Sequence, residues 1–319
     1  MKVLFLGFCG IIKDYDIVVH VDAIRVKEYF TLFRSHYQNV NYFSVDKDGW
    51  IYGESDKIHL DDALLKNYDL IFMYHEVTMD RLISNYGKSE VIKFISATPS
   101  FIQLDCSIWP LTKDNAIMSN FDAIGIAHPF SYLEISHRDK HMIPNATISR
   151  KKPVNINKDG DLLYIGRVAQ NVRKIRKFSQ QIKKTIRLYT FDENDGALFN
   201  SDEYIKYAGA LKYNSLHLGM ENISYGLCFF DNQSPCGKIF DYISYGLPVL
   251  AEDLVGESKI IKDDNMGALF DIHKLHEFKL PDPYFVSTDI YDTVQEKHLW
   301  EHRTNKWFEI INNYIKWEY

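Results

Sequence analysis

The stretch YGLCFFDNQSPCGKIFDYISYGLPVLAEDLVGESKIIKDDNMGALFD, residues 225–271, decides the fold. GLCFF (226–230) is a short apolar run closed by the polar loop DNQSPCG, which reads as a buried strand. The next segment predicts a helix over 238–245 that stops at a glycine. PVLA (248–251) reads as the following strand, 256–262 as a helix and ALF (268–270) as a strand. Strand, helix and strand in alternation require a parallel sheet. Lys238 and Asp241 stand three residues apart and share one helical face. Both lie near the start of that helix, where backbone N–H groups favour an anion. A cation beside a carboxylate there suits a nucleotide diphosphate, with Lys238 on phosphate and Asp241 accepting from ribose hydroxyls. An ordinary surface ion pair has the same spacing.

The same alternation extends in both directions. The second half restarts after a polar segment, SRKKPVNINKDG (149–160), which reads as a linker. Strands are expected over 162–165, 186–189 and 207–208, with helices over 172–184 and 213–222. In the first half, strands are expected over 3–8, 40–43, 70–74, 100–105 and 123–127. A helix over 22–36 has Asp22 as its N-cap. The last helix, about 298–317, carries Leu299, Trp300, Trp307, Ile310, Ile311 and Tyr314 on one stripe. Residues 46–66 and 271–295 are polar and weakly periodic, and no element is assigned to them.

A chain of 319 residues exceeds one ordinary core and fits two α/β domains of about 150 residues each. The net charge is −6, and residues 1–150 hold 15 Lys and Arg against 19 Asp and Glu. That balance argues against a dedicated polyanion binder, which needs a basic excess. The four cysteines, Cys9, Cys106, Cys228 and Cys236, form no CxxC pair, so reduced thiols are expected rather than zinc or disulfides. MKVLFLGF at the N-terminus reads as a strand, not a signal peptide. No window reaches 18 apolar residues, so no transmembrane segment is expected and a cytoplasmic location follows. The 21 Tyr and 20 Phe are read as core rings first and as stacking platforms second.

The segment 225–271 resembles the donor-binding signature of the GT-B glycosyltransferases, broadly the glycosyltransferase family 4 superfamily. The resemblance rests on K-I-F-D-Y-x-x-Y-G-L-P-V-L at 238–250, on Glu252–Asp253 and on I-I-x-D-x-x-x-G at 260–267. LLYIGR (162–167) is similar to the first strand of the donor domain, and HLWEHRTNKW (298–307) to the terminal helix. The resemblance implies an α/β GT-B fold: two Rossmann-like domains facing across a cleft. Residues 1–150 would bind the acceptor and 151–300 the nucleotide-sugar, with 301–319 returning to the N-terminal domain. It implies a UDP-sugar co-substrate, no obligatory cofactor and no metal. Arg167 and Arg173 follow the first donor-domain strand and would clamp the β-phosphate, since guanidinium forks match phosphate oxygens; Arg176 is the substitute. The family usually carries two Glu eight residues apart, whereas this chain has Gln233 and Asp241.

SFIQLDCSIWPL (100–111) is similar to a segment of bacteriophage DNA glucosyltransferases, in which the Asp deprotonates a hydroxymethyl group on cytosine. That resemblance implies Asp105 as the catalytic base, and Arg173, Lys238 and Asp241 fit the same family's donor contacts. This chain has Leu-Asp-Cys-Ser where that family has Thr-Asp-Ile-Arg. Asp105 at a parallel strand's C-terminal end stands where α/β sheets present ligand-binding groups; a turn or helix-capping Asp would stand there too. Gly10, in GFCG, could admit a diphosphate to the backbone. His20, Arg25, His75 and His128 precede or follow predicted elements at the same sheet edge, as acceptor or cleft candidates or as caps. The acceptor expected first is a hydroxymethylated or already glycosylated base in phage duplex DNA, and the alternative is a surface glycan or lipid-linked saccharide. A nucleotide-sugar-binding sensor without turnover is the non-enzyme alternative.

Overall fold

The computed structural model describes residues 1–9, 21–45, 56–57, 68–105, 114–151, 153–190, 192–230, 237–253, 258–284 and 289–315. These divide into two compact units, one running to Asn145 and regaining the chain at Trp300, the other spanning Ala146–Leu299.

The first unit contains β1 (Lys2–Gly7), α1 (Val21–His36), β2 (Asn39–Ser44), β3 (Asp56–Lys57) and β4 (Leu70–Tyr74). It continues with α2 (Glu76–Tyr86), α3 (Lys88–Ser96), β5 (Ser100–Leu104), α4 (Asn115–Met118), β6 (Ala123–Ile126), α5 (Pro129–Glu134) and β7 (Lys140–Met142). The strands form one parallel sheet in the order β3-β2-β1-β4-β5-β6-β7. β4, β5 and β6 are buried along their whole length, as expected of strands covered on both faces.

The second unit contains β8 (Ile156–Ile165), α6 (Val172–Ile182), β9 (Ile186–Tyr189), α7 (Glu193–Ala197) and β10 (Ile205–Tyr207). A 3₁₀ turn (Tyr213–Ser215) leads into α8 (Leu216–Met220), β11 (Ile223–Cys228), α9 (Lys238–Ile243), β12 (Val249–Glu252), α10 (Ser258–Asp263), β13 (Gly267–Phe270) and α11 (Ile290–Lys297). Its parallel sheet runs β10-β9-β8-β11-β12-β13. Both units thus place their first strand beside their fourth, the doubly wound order whose reversal point opens a crevice at the strands' C-terminal ends. The sequence-based expectation of Rossmann-like α/β units is met in both.

The tyrosines and phenylalanines are largely core. In the first unit Phe33 stands 5.4 Å from Phe5 and 4.3 Å from Phe72, centroid to centroid. The last helix, α12 (Trp300–Ile315), closes that core: Trp307 packs 5.1 Å from Phe72 and Trp300 5.2 Å from Tyr29. The buried Trp307 indole N–H donates to Gln103 Oε1 at 2.9 Å. Beneath them lies Gly125, where any Cβ would overlap the Trp307 ring and the Gln103 amide. Gly125→Ala is therefore expected to cost about 1–3 kcal/mol by overpacking. The check is thermal unfolding; an unchanged Tm would show that α12 does not sit on β6 in solution.

Some boundaries differ from the sequence-based reading. Half of the expected linker is strand, since β8 starts at Ile156. Its polar residues Lys158 and Asp159 are exposed, and Asp161 is already in register with Ile223 of β11. The strand runs through the turn-like NKDG before that pairing begins. Residues 271–295, left without an element, contain the start of α11. The helix expected over 238–245 ends at Ile243, and the chain turns through Gly246 at φ 74°.

Candidate active site

In the second unit the predicted donor residues gather at the C-terminal end of β8. Gly166, the residue after that strand, has φ 136°, a conformation in which only glycine is at ease. A Cβ placed there would stand 3.7 Å from Lys238 Cε, so the lysine stem lies directly over the strand end. Lys238 opens α9 and its Nζ is 3.0 Å from Asp241 Oδ2; the carboxylate is buried and the ammonium partly exposed. With six residues, α9 contributes little dipole, and the positive charge is that of Lys238 itself. Because β8 and β11 flank the reversal point, these groups stand where this sheet order leaves room for a ligand.

Arg167 and Arg173 share that edge. Both are exposed, Arg167 just after Gly166 and Arg173 in the first turn of α6. The Tyr164 hydroxyl donates to the Arg167 carbonyl at 2.8 Å and fixes the turn. Arg176 has another role: its Nε is 3.0 Å from Asp202 Oδ2, and its guanidinium also donates to the Leu198 carbonyl. Lys174, which sequence reasoning passed over, reaches Glu252 Oε2 at 2.7 Å and the Phe230 carbonyl at 2.6 Å. Glu252 also accepts from the Phe230 N–H at 3.3 Å. The available signal was the Glu252–Asp253 motif, in which Glu252 holds the end of β11 rather than standing exposed. Gly10 and Gln233 lie outside the described residues.

In the first unit, Arg25, His75 and Asp105 come together although they are 80 residues apart at the extremes. Arg25 Nη1 donates to Asp105 Oδ2 in a buried ion pair. The Tyr74 hydroxyl is 3.4 Å from the same oxygen, and His75 Nε2 is 4.0 Å from it. The Asp105 N–H donates to Glu76 Oε2 at 3.0 Å. His75 caps α2: its Nδ1 accepts from the Val77 N–H at 3.2 Å, and its backbone sits at φ 76° and ψ 139°. A histidine held in that region costs about 1–3 kcal/mol, and such outliers gather at functional sites. Tyr29 and Tyr74, not singled out by sequence, lie beside this cluster with tilted rings 5.2 Å apart; burial pushes the Tyr29 phenol far up, so it stays protonated. His128 follows β6, at the strand end next to Asp105, where burial pushes its imidazole down and keeps it neutral. His20 and the Trp109–Pro110 element lie outside the described residues.

No family model matches this sequence, and no curated protein does. Solved structures do. Sucrose-phosphate synthase from Thermosynechococcus elongatus superimposes with a TM-score of 0.68 at 14% identity, covering 99% of this chain and 100% of that one. The lipopolysaccharide outer core galactosyltransferase WaaB in its apo form gives 0.65 at 13% identity, covering 98% and 99%. Anabaena HepE in complex with UDP and glucose gives 0.66 at 11% identity, covering 98% and 100%. The chain has the two Rossmann-like units of the GT-B glycosyltransferase fold. Among the described residues no helix is long and apolar enough to cross a membrane.

Proposed function

We propose that this chain is a glycosyltransferase that uses a nucleotide-sugar, a UDP-sugar first, and transfers the sugar to a hydroxyl. The observation that carries the reading is Lys238 laid over Gly166 at the end of β8 and paired with Asp241. That arrangement presents a cation, a buried carboxylate and a glycine backbone without a side chain of its own at one strand end. A diphosphate needs the first and third, and a ribose diol the second. Arg167 and Arg173 on the same edge supply the remaining charge for a departing UDP, where negative charge grows in the transition state. The UDP held by HepE, which shares the fold, supports the nucleotide.

In this reading residues 151–300 bind the donor and residues 1–150 the acceptor. Asp105 is the base. It takes the proton from the acceptor oxygen as that oxygen bonds to the anomeric carbon and the bond to the β-phosphate breaks, releasing UDP. The net charge of −6 and the absence of a basic excess before residue 150 favour a saccharide acceptor. A galactosyltransferase of the lipopolysaccharide outer core among the structures with this fold agrees with it. DNA containing hydroxymethylcytosine is the second acceptor, supported by the segment that begins at Ser100 and carries Asp105.

The test is a thermal-shift panel of UDP-, GDP-, ADP- and TDP-sugars, followed by product analysis with saccharide acceptors and with hydroxymethylated duplex DNA. UDP-sugars should raise Tm, and by mass action a ligand at a hundred times its Kd adds about 2.7 kcal/mol to stability. A shift with no nucleotide-sugar removes the proposal. Product on DNA alone would exchange the acceptors. Binding without product on any acceptor would favour the sensor.

A further inference from the structure

We propose that Arg150 anchors a second anion site in the second unit, one that takes a small oxyanion such as phosphate or a carboxylate. The site uses none of the donor residues and does not rest on the glycosyltransferase reading.

The argument starts from the segment before β8. Ser149 Oγ donates to Gln295 Oε1 at 2.6 Å, the Tyr291 hydroxyl donates to the Arg150 carbonyl, and the Val154 N–H donates to the Tyr245 carbonyl at 2.9 Å. These bonds strap residues 149–151 and 153–154 across α11 and the turn after α9. The Arg150 guanidinium is thereby placed between two tyrosine rings, its carbon 4.7 Å from the centroid of Tyr213 and 4.6 Å from that of Tyr245. Two aromatic faces stabilise the cation but offer nothing to its N–H groups.

Those N–H groups are the telling feature. Nε and Nη2 of Arg150 are buried, and neither has a hydrogen-bond partner among the described residues. They are the two parallel donors of one guanidinium edge, the fork that meets a carboxylate or phosphate side-on. The amide Nε2 of Gln295, along the same strap, is also buried without a partner among the described residues. Every unmet group here is a donor, and the fork belongs to a fixed positive charge. Buried donors left unmet are costly, which is why proteins rarely keep them. An oxyanion satisfies the fork and neutralises the charge in one step, whereas a metal ion or a second cation satisfies neither. Because the fork is shut from bulk water, the occupant is a single small anion rather than a polymer. Tyr245 follows Asp241 by four residues, and the Asp241 carbonyl accepts from Ser244 Oγ at 2.7 Å, so an anion here braces the turn behind the Lys238–Asp241 pair.

The experiment titrates inorganic phosphate, and separately acetate, into the full chain in a bulky sulfonate buffer free of other small anions, following Tm and heat. It is run on the wild type, on Lys238→Ala and on Arg150→Lys. Lys238→Ala removes the phosphate contact at the donor edge and should keep a second, saturable response, while Arg150→Lys, which keeps the charge but loses the fork, should bind at that second site about tenfold more weakly or worse. Tighter binding of phosphate or of acetate identifies which oxyanion geometry the fork prefers. If Arg150→Lys does not fold, Gln295→Leu takes its place and should weaken binding several-fold. A response abolished by Lys238→Ala and untouched by Arg150→Lys or Gln295→Leu would overturn the site, as would silence toward both anions at tens of millimolar.

Discussion

Lys238→Ala is expected to weaken UDP binding by roughly ten- to a hundredfold, the loss of one hydrogen-bonded charge contact of about 1.5–3 kcal/mol. The reasoning runs from geometry to charge. The lysine stem lies over the strand-end glycine, so its ammonium cannot leave the edge of β8 without abandoning Asp241. A diphosphate there meets a cation already in place, and little ordering entropy is spent on it. The substitution also leaves the buried Asp241 carboxylate without its lysine, so part of any lost stability belongs to Asp241 and not to the ligand. Asp241→Asn separates the two. It removes the charge that holds Lys238 and turns one of the two oxygens offered to the ribose diol into an N–H donor, and should weaken UDP several-fold while sparing inorganic diphosphate. Calorimetry at fixed ionic strength is required, because partly exposed charges are screened over about 8 Å at physiological salt. Lys262→Ala, at an exposed position of α10, is the control and should change nothing. Wild-type affinity for UDP in Lys238→Ala would take the donor site away from this edge.

Much of the fold was legible because parallel sheets announce themselves. Runs such as VLFL, LIFM and PVLA are apolar throughout, since both faces of those strands are covered. Their alternation with helical periods leaves few arrangements other than a doubly wound sheet. What escaped reading was structure created by pairing. Ile156–Asp161 is as polar as a linker and is nonetheless strand, meeting β11 at Asp161, and α11 lies in a stretch with little periodicity.

The grouping of the candidate residues in the second unit was legible for a local reason. Gly166, Arg167, Lys238 and Asp241 all belong to strand ends or the first helical turn after them, so a correct strand assignment places them together. In the first unit, strand ends pointed to His75, Asp105 and His128, but nothing in sequence joined Arg25 to Asp105 or set His75 at a positive φ. Those depend on which helix face meets which strand end, a tertiary fact. Lys174 was missed for a related cause: its partner Glu252 is 78 residues away.

Asp105→Asn is expected to reduce turnover by about 10²–10⁴-fold if Asp105 is the base, with UDP affinity unchanged. The structure gives this residue a second role that the measurement must separate. Asp105 is buried and ion-paired with Arg25, so the amide removes a buried counter-charge from that guanidinium, a loss of up to about 3–5 kcal/mol. A drop in activity by itself therefore decides nothing. The double variant Arg25→Gln with Asp105→Asn removes both charges, and replacing both partners of a buried pair is often close to neutral. Stability should return in the double variant while turnover per folded molecule stays low, because the Asp105 carboxylate that takes the acceptor proton is gone. If the double variant regains both, the Arg25–Asp105 pair is structural and the base lies elsewhere. His75 is then a poor substitute, since its Nδ1 already accepts the Val77 N–H and its Nε2 faces Asp105, leaving no lone pair directed at an acceptor. Loss of turnover that follows the carboxylate, in protein whose Tm has been restored, is what a catalytic base requires and a structural ion pair does not.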